Sequence, residues 1–134
     1  MSYAFDIRVY WEDTDAGGIV FYANYLKFFE RARTEWLRSL GIGQHTLREQ
    51  TGGMFVVSET AVKYHRPAVL DDRLHVTAGL LEAGRASLLI GQSAWREEPG
   101  PRTLLCEGSI RIGWVDASTL KPARIPASIL ERLS

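Results

Sequence analysis

One change of hydrophobic period constrains this chain more than any other feature. From Tyr3 to Trp11 the apolar residues Tyr3, Phe5, Ile7, Val9 and Trp11 alternate with a set that includes Asp6, Arg8 and Tyr10. A period of two predicts a strand with one buried face over 3–11. From Asn24 the interval changes: Tyr25, Phe29, Ala32, Trp36 and Leu40 follow one another at spacings of four, three, four and four. That is one face of an α-helix of about sixteen residues. Asn24 is the expected N-cap, and Gly41 the expected C′ stop.

The rest of the chain returns to strand-like runs. Residues 41–53 read as a short helix plus loop, and 54–66 as a strand that ends before Pro67. Further strands are expected over 73–83, 86–98 and 103–115, the last with clean alternation at Ile110, Ile112 and Trp114. A short proline-started helix closes the chain within 121–133. No repeat, low-complexity tract or linker interrupts this order, so 1–134 is read as a single domain. One strand, one long helix and about four more strands pack most simply as an antiparallel sheet curled around the helix. That is an α+β fold of about five strands. Its uncovered edges lead us to expect self-association.

Charge and composition narrow the function. Sixteen basic residues balance sixteen acidic ones, which gives no general attraction to nucleic acid or anionic membranes. The N-terminus lacks a basic leader with an apolar core, and no apolar run approaches the roughly 20 residues needed for a membrane span. Cys106 is the only cysteine. Intramolecular disulfides are therefore impossible, and a cytoplasmic location is the simplest expectation. Within "LLCEG", Cys106 reads as a buried, inert thiol. His45, His65 and His75 are scattered, without HExxH or CxxC spacing, so no metal is expected. No GxSxG, P-loop or GxGxxG motif occurs, and no cofactor is expected.

The chemistry-bearing stretch is "EDTDAGGIVFYANY", Glu12 to Tyr25, where strand passes into helix. The first N–H groups of a helix have no intrahelical partner and can bind an oxyanion, while a carboxylate just upstream can reach the same point. Gly17 and Gly18 would let backbone approach a ligand closely. On pattern alone, however, an ordinary acidic turn is the stronger reading, because Asp and Gly are the commonest turn residues.

Longer motifs change that balance. The stretch "VYWEDTDAGGIVFYANYLKFFERARTEWLRSLGI", together with "YHRPAVLDDRLHV" and "LKPARIPASI", resembles the 4-hydroxybenzoyl-CoA thioesterase-like branch of the hot-dog superfamily. Within it the chain looks most like the Tol-Pal-associated acyl-CoA thioesterase group. The resemblance spans nearly the whole chain. It implies a long central helix wrapped by a sheet, hydrolysis of acyl-CoA to acid and coenzyme A, and sites at protomer interfaces of a homodimer or homotetramer. Coenzyme A is then part of the substrate, and acyl carrier protein is an alternative carrier.

Carried over residue by residue, the catalytic carboxylate falls on Asp15 and the backbone oxyanion donor on the N–H of Tyr22. Gly17, Gly18 and Glu30 are further substrate-binding candidates, and Arg85 and Ser87 match a coenzyme A-binding turn loosely. Several members carry His where Tyr22 stands here, which leaves the N–H intact but removes any imidazole contribution. Partial burial of Asp15 near Phe21, Tyr22 and Tyr25 would raise its pKa and favour it as a base or nucleophile. Asp13 is expected to be structural, accepting turn N–H groups, and Arg31, Arg33 and Arg38 to lie on a solvated or interface face. Two other readings of the same fold compete. A dehydratase would need a His with a helix-borne carboxylate, yet no His lies between Met1 and Gln44. A non-catalytic acyl-binding or envelope-assembly partner would tolerate loss of Asp15.

Overall fold

The computed structural model describes residues 3–133. Along the chain run β1 (Tyr3–Arg8), a 3₁₀ turn (Trp11–Asp13), α1 (Asn24–Ser39), α2 (Gln44–Thr51), β2 (Gly53–Tyr64), β3 (Arg73–Ala83), β4 (Ser87–Arg96), β5 (Thr103–Asp116) and α3 (Ala127–Leu133). The strands form one antiparallel sheet in the order β1-β3-β4-β5-β2. Register shifts at Val57/Glu59, Leu80/Glu82 and Ala94/Trp95 mark bulges, which bend the strands. This is the wrapped-helix α+β arrangement that strand order and resemblance both imply. No described helix is long and apolar enough to cross a membrane.

The helix forms where its period places it, and its buried stripe is wider than the sequence suggests. Tyr25, Phe28, Phe29, Ala32, Trp36 and Leu37 are buried against Leu74, Val76 and Ala78 of β3 and Leu88, Ile90 and Ala94 of β4. Burying each large apolar side chain contributes about 1.5–3 kcal/mol, so this stripe anchors the helix. Gly41 ends it as expected, at φ 79°. The Ile42 N–H bonds the Leu37 carbonyl at 2.8 Å and the Gly41 N–H the Arg38 carbonyl at 3.0 Å, which is the Schellman pattern.

Three local expectations are corrected. β1 stops at Arg8 instead of Trp11, because the Asp13 carboxylate accepts the Tyr10 N–H at 2.8 Å and draws the chain into the 3₁₀ turn. Trp11 is consequently 79% exposed. Asn24 is the first helical residue and not the cap; Ala23 holds that position, and the Asn24 amide reaches Asp13 instead. Arg33 is buried, only 9% exposed, with Nη1 donating to Gln92 Oε1 at 2.9 Å. Desolvation lowers its pKa from the ordinary guanidinium value. Arg31 and Arg38 are exposed, as expected for a solvated face.

Candidate active site

Residues 13–21 fold as a small hairpin. The Phe21 N–H bonds the Asp13 carbonyl at 3.0 Å, Thr14 bridges Val20, and the Asp15 N–H bonds the Ile19 carbonyl at 2.9 Å. The turn closes with the Gly18 N–H on the Asp15 carbonyl at 3.0 Å. Gly18 sits at φ 81°, as a three-residue hairpin loop requires at its left-handed position. Asp15 Oδ1 also accepts the Gly17 N–H at 2.8 Å, an Asx turn that orients the carboxylate. A Cβ at Gly17 would stand 3.2 Å from that oxygen, so the glycine keeps one side of the carboxylate open. The two glycines thus have different tasks.

Asp13 fixes this hairpin to the helix. It is 5% exposed, and its Oδ1 accepts Asn24 Nδ2 at 2.8 Å while Oδ2 holds the Tyr10 N–H. That is the structural role expected for it. Past the hairpin, Phe21 and Tyr22 lead directly into α1. Among the described residues the Tyr22 and Ala23 N–H groups make no hydrogen bond, as expected ahead of the first helical turn. At about 3.3 Å per residue, Tyr22 lies about 10 Å along the hairpin from the Asp15 rung. A carbonyl group between them could meet a carboxylate on one side and N–H donors on the other.

Beside the hairpin a cleft of about 270 Å³ is lined by Ile19, Tyr22, Tyr25, Tyr64, His65 and Pro67 among others. Its walls are mainly aromatic: Tyr22 and Tyr64 meet edge-on with ring centres 6.1 Å apart, and Tyr25 and Tyr64 are tilted at 5.7 Å. The Tyr64 hydroxyl donates to the Tyr22 carbonyl at 2.9 Å. The Tyr25 hydroxyl accepts the Ala68 N–H at 3.1 Å, and burial pushes this phenol up to about 12. The cleft opens on the Ile19–Val20 strand of the hairpin.

Burial of Asp15, which would favour either role, is not found in the protomer. Its side chain is exposed in the protomer, because the hairpin turn projects from the sheet and Phe21 and Tyr22 are themselves exposed. Glu30 is exposed and lines a separate hollow of about 170 Å³ with Arg33, Thr34 and Phe55 among others. Arg85 and Ser87 belong to the turn between β3 and β4 and the start of β4. β1 ends opposite Arg73 at the other end of β3, so about 30 Å of strand separates them from the hairpin within one protomer. Ser87 Oγ is occupied by Arg111 Nη1 at 3.1 Å. Asn24 and Tyr64 are contacts that sequence reasoning missed. Asn24 looked like a cap, and nothing separates Tyr64 from other strand aromatics except its place before Pro67.

Comparison with known proteins bears on the fold and the family. The model of the Thioesterase-like superfamily matches residues 9–133. An acyl-CoA thioesterase, YbgC, of Haemophilus influenzae is 41% identical over 128 residues, covering 96% of this chain and 91% of the relative. The acyl-CoA thioester hydrolase YbgC of Escherichia coli is 40% identical over 124 residues, covering 92% and 90%. Among solved structures, a probable thioesterase from Bartonella henselae superposes with a TM-score of 0.85 at 30% identity, covering 94% of this chain and all of that one. 4-Hydroxybenzoyl-CoA thioesterase from a Pseudomonas species shares the fold at a TM-score of 0.90 and 22% identity, covering 98% of each chain. With a match running from the end of β1 through α3, and with two relatives at 40% identity or more across nearly their full length, the chain belongs to the thioesterase-like superfamily of hot-dog fold proteins.

Proposed function

We propose that this protein hydrolyses acyl-CoA thioesters to a free acid and coenzyme A, with Asp15 as the reacting carboxylate and the Tyr22 N–H as oxyanion donor. What supports the reading is an oriented, accessible carboxylate on the hairpin that leads into α1, followed by unpaired N–H groups at the start of that helix. The names of the relatives supply the substrate class.

Two routes end in the same products. In one, Asp15 takes a proton from a water whose oxygen attacks the thioester carbonyl. In the other, an Asp15 oxygen attacks directly, forming a mixed anhydride that water then opens. In both, the carbonyl electron pair moves onto oxygen and is stabilised by the Tyr22 N–H, an effect worth about 10²–10³ in rate. The pair then returns as the C–S bond breaks and coenzyme A leaves as a thiolate, a good leaving group. Gly17 keeps the approach to the carboxylate open, and Gly18 closes the turn that carries it.

Because Asp15 is exposed in the protomer, water must be excluded from it by the substrate or by a second protomer. This favours the homodimer, or a homotetramer built from it, as the working form. Glu30, Arg85 and Ser87 then act only if the partner brings them to the hairpin. Cytoplasmic work in a Tol-Pal-associated setting belongs to the same reading.

The test is a panel of short, long and aromatic acyl-CoA thioesters, with acyl carrier protein thioesters as a separate arm. Thiol release is followed with DTNB at equal enzyme concentration. The proposal requires enzyme-dependent release from at least one class of acyl-CoA. Background rates across the whole panel would overturn it.

A further inference from the structure

We propose that Tyr64 is a positioning residue for the thioester reaction, acting through its hydrogen bond to the Tyr22 carbonyl. The inference rests on the assignment of the oxyanion donors to the start of α1. Tyr64 is the last residue of β2, fixed by its pairing with Cys106 on β5, so its ring is carried by the sheet rather than by the hairpin it touches. From there it reaches over to the chain that precedes α1 and donates to the Tyr22 carbonyl at 2.9 Å.

A peptide group is planar and trans, so holding the Tyr22 carbonyl also fixes the direction of the Ala23 N–H on the same plane. That N–H, like the one before it, has no partner among the described residues. Ala23, at φ −70° and ψ −17°, is the cap residue of α1, so the Tyr22 and Ala23 N–H groups both lie ahead of its first hydrogen-bonded turn. Hydrogen bonding to the carbonyl also polarises the peptide, which makes its N–H a stronger donor. The donor site is thus two adjacent amides, one of which Tyr64 aims and strengthens. Edge-on and tilted ring contacts with Tyr22 and Tyr25 hold the Tyr64 ring in place. Burial raises the Tyr64 phenol above its ordinary pKa, which keeps the proton on the donating oxygen.

The hydroxyl is a single group on a half-exposed ring, 45% exposed, so its removal leaves the core intact and lets water reach the Tyr22 carbonyl. Tyr64→Phe is therefore the diagnostic variant. For the acyl-CoA best hydrolysed by the wild type, kcat should fall about threefold to tenfold, the rate equivalent of one neutral hydrogen bond. KM, Tm and the pH profile of kcat/KM should stay at wild-type values. Tyr64→Leu, which also removes the ring, should lower kcat further and raise KM.

Four results would overturn the assignment: wild-type kcat in Tyr64→Phe, a change in KM alone, a kcat loss matched by a fall in Tm, or a shifted pH limb. The last would make Tyr64 a proton donor rather than a positioning residue. Asp15→Asn, assayed in parallel, separates the two levels. If it is inactive while Tyr64→Phe equals wild type, only the Tyr64 inference fails. If wild type itself releases no thiol, the thioesterase reading fails and takes this inference with it.

Discussion

Replacing Asp13 by Asn should destabilise the protein while leaving its chemistry largely in place. The Asp13 carboxylate is buried and uses both oxygens, one for the Tyr10 N–H and one for Asn24 Nδ2, each at 2.8 Å. An asparagine amide offers one oxygen and one NH₂, so one of those two donors must face another donor. Losing one charge-assisted hydrogen bond in a buried place costs about 1.5–3 kcal/mol. At about 2.1 cal/mol/K per residue, 134 residues give an unfolding entropy of about 280 cal/mol/K, so each kcal/mol moves Tm by about 3.5 °C. Tm should therefore fall about 5–10 °C, read by thermal denaturation at matched protein concentration. Asn24→Ala should be less than additive with it, because both variants break the same tether. A Tm within about 2 °C of wild type, or full additivity, would refute the tether. Loss of activity at unchanged Tm would mean that Asp13, and not Asp15, carries the chemistry.

The other predictions follow from single contacts. Gly18→Ala places a Cβ at φ 81°, which should cost about 1–2 kcal/mol, lowering Tm by about 3–7 °C and lowering kcat by displacing Asp15; unchanged values of both would show the turn to be of another type. Cys106 is buried and its thiol is pushed up to about 12, chiefly by desolvation, so native protein should give no rapid DTNB reaction and one thiol per chain once denatured. Rapid labelling of native protein would contradict the packing around β5. Asp116 is held down at about 2, first by the Ser118 hydroxyl and then by the Thr119 and Ser118 N–H groups. Its folded value lies below the unfolded one of about 3.9, so its stabilisation is present above pH 4 and is lost as pH falls towards 2. Asp116→Asn should flatten the dependence of Tm on pH in that window, and an unchanged slope would reject the assignment.

What could be read from the sequence divides along physical lines. α1 was legible in length and at its C-terminal end, and within one residue at its start, because an apolar stripe and a glycine stop are local signals. The succession of strands along the chain followed from period and turn residues, and the antiparallel sheet from the lack of helices between late strands; the pairing of β2 with β5 was not legible. Features set by distant partners were not legible. The early end of β1 depends on Asp13 reaching back to Tyr10, and Asn24 abandons the cap because Asp13 lies opposite it. Arg33 looked like a surface charge because its partner, Gln92, is 59 residues away. Tyr64 acts 42 residues from Tyr22, on a contact that no spacing announces. The resemblance pointed to Asp15, Arg85 and Ser87 together, but the length of β3 keeps them apart in one protomer.

The most direct test of the central claim is kcat for acyl-CoA hydrolysis by Asp15→Asn. Asparagine retains an oxygen for the Gly17 N–H, so the hairpin should fold and Tm should stay within a few degrees of wild type. With the carboxylate gone, neither proton removal nor anhydride formation is possible, and kcat should fall by at least about 10²-fold. A folded Asp15→Asn protein that releases coenzyme A at close to the wild-type rate would contradict the account.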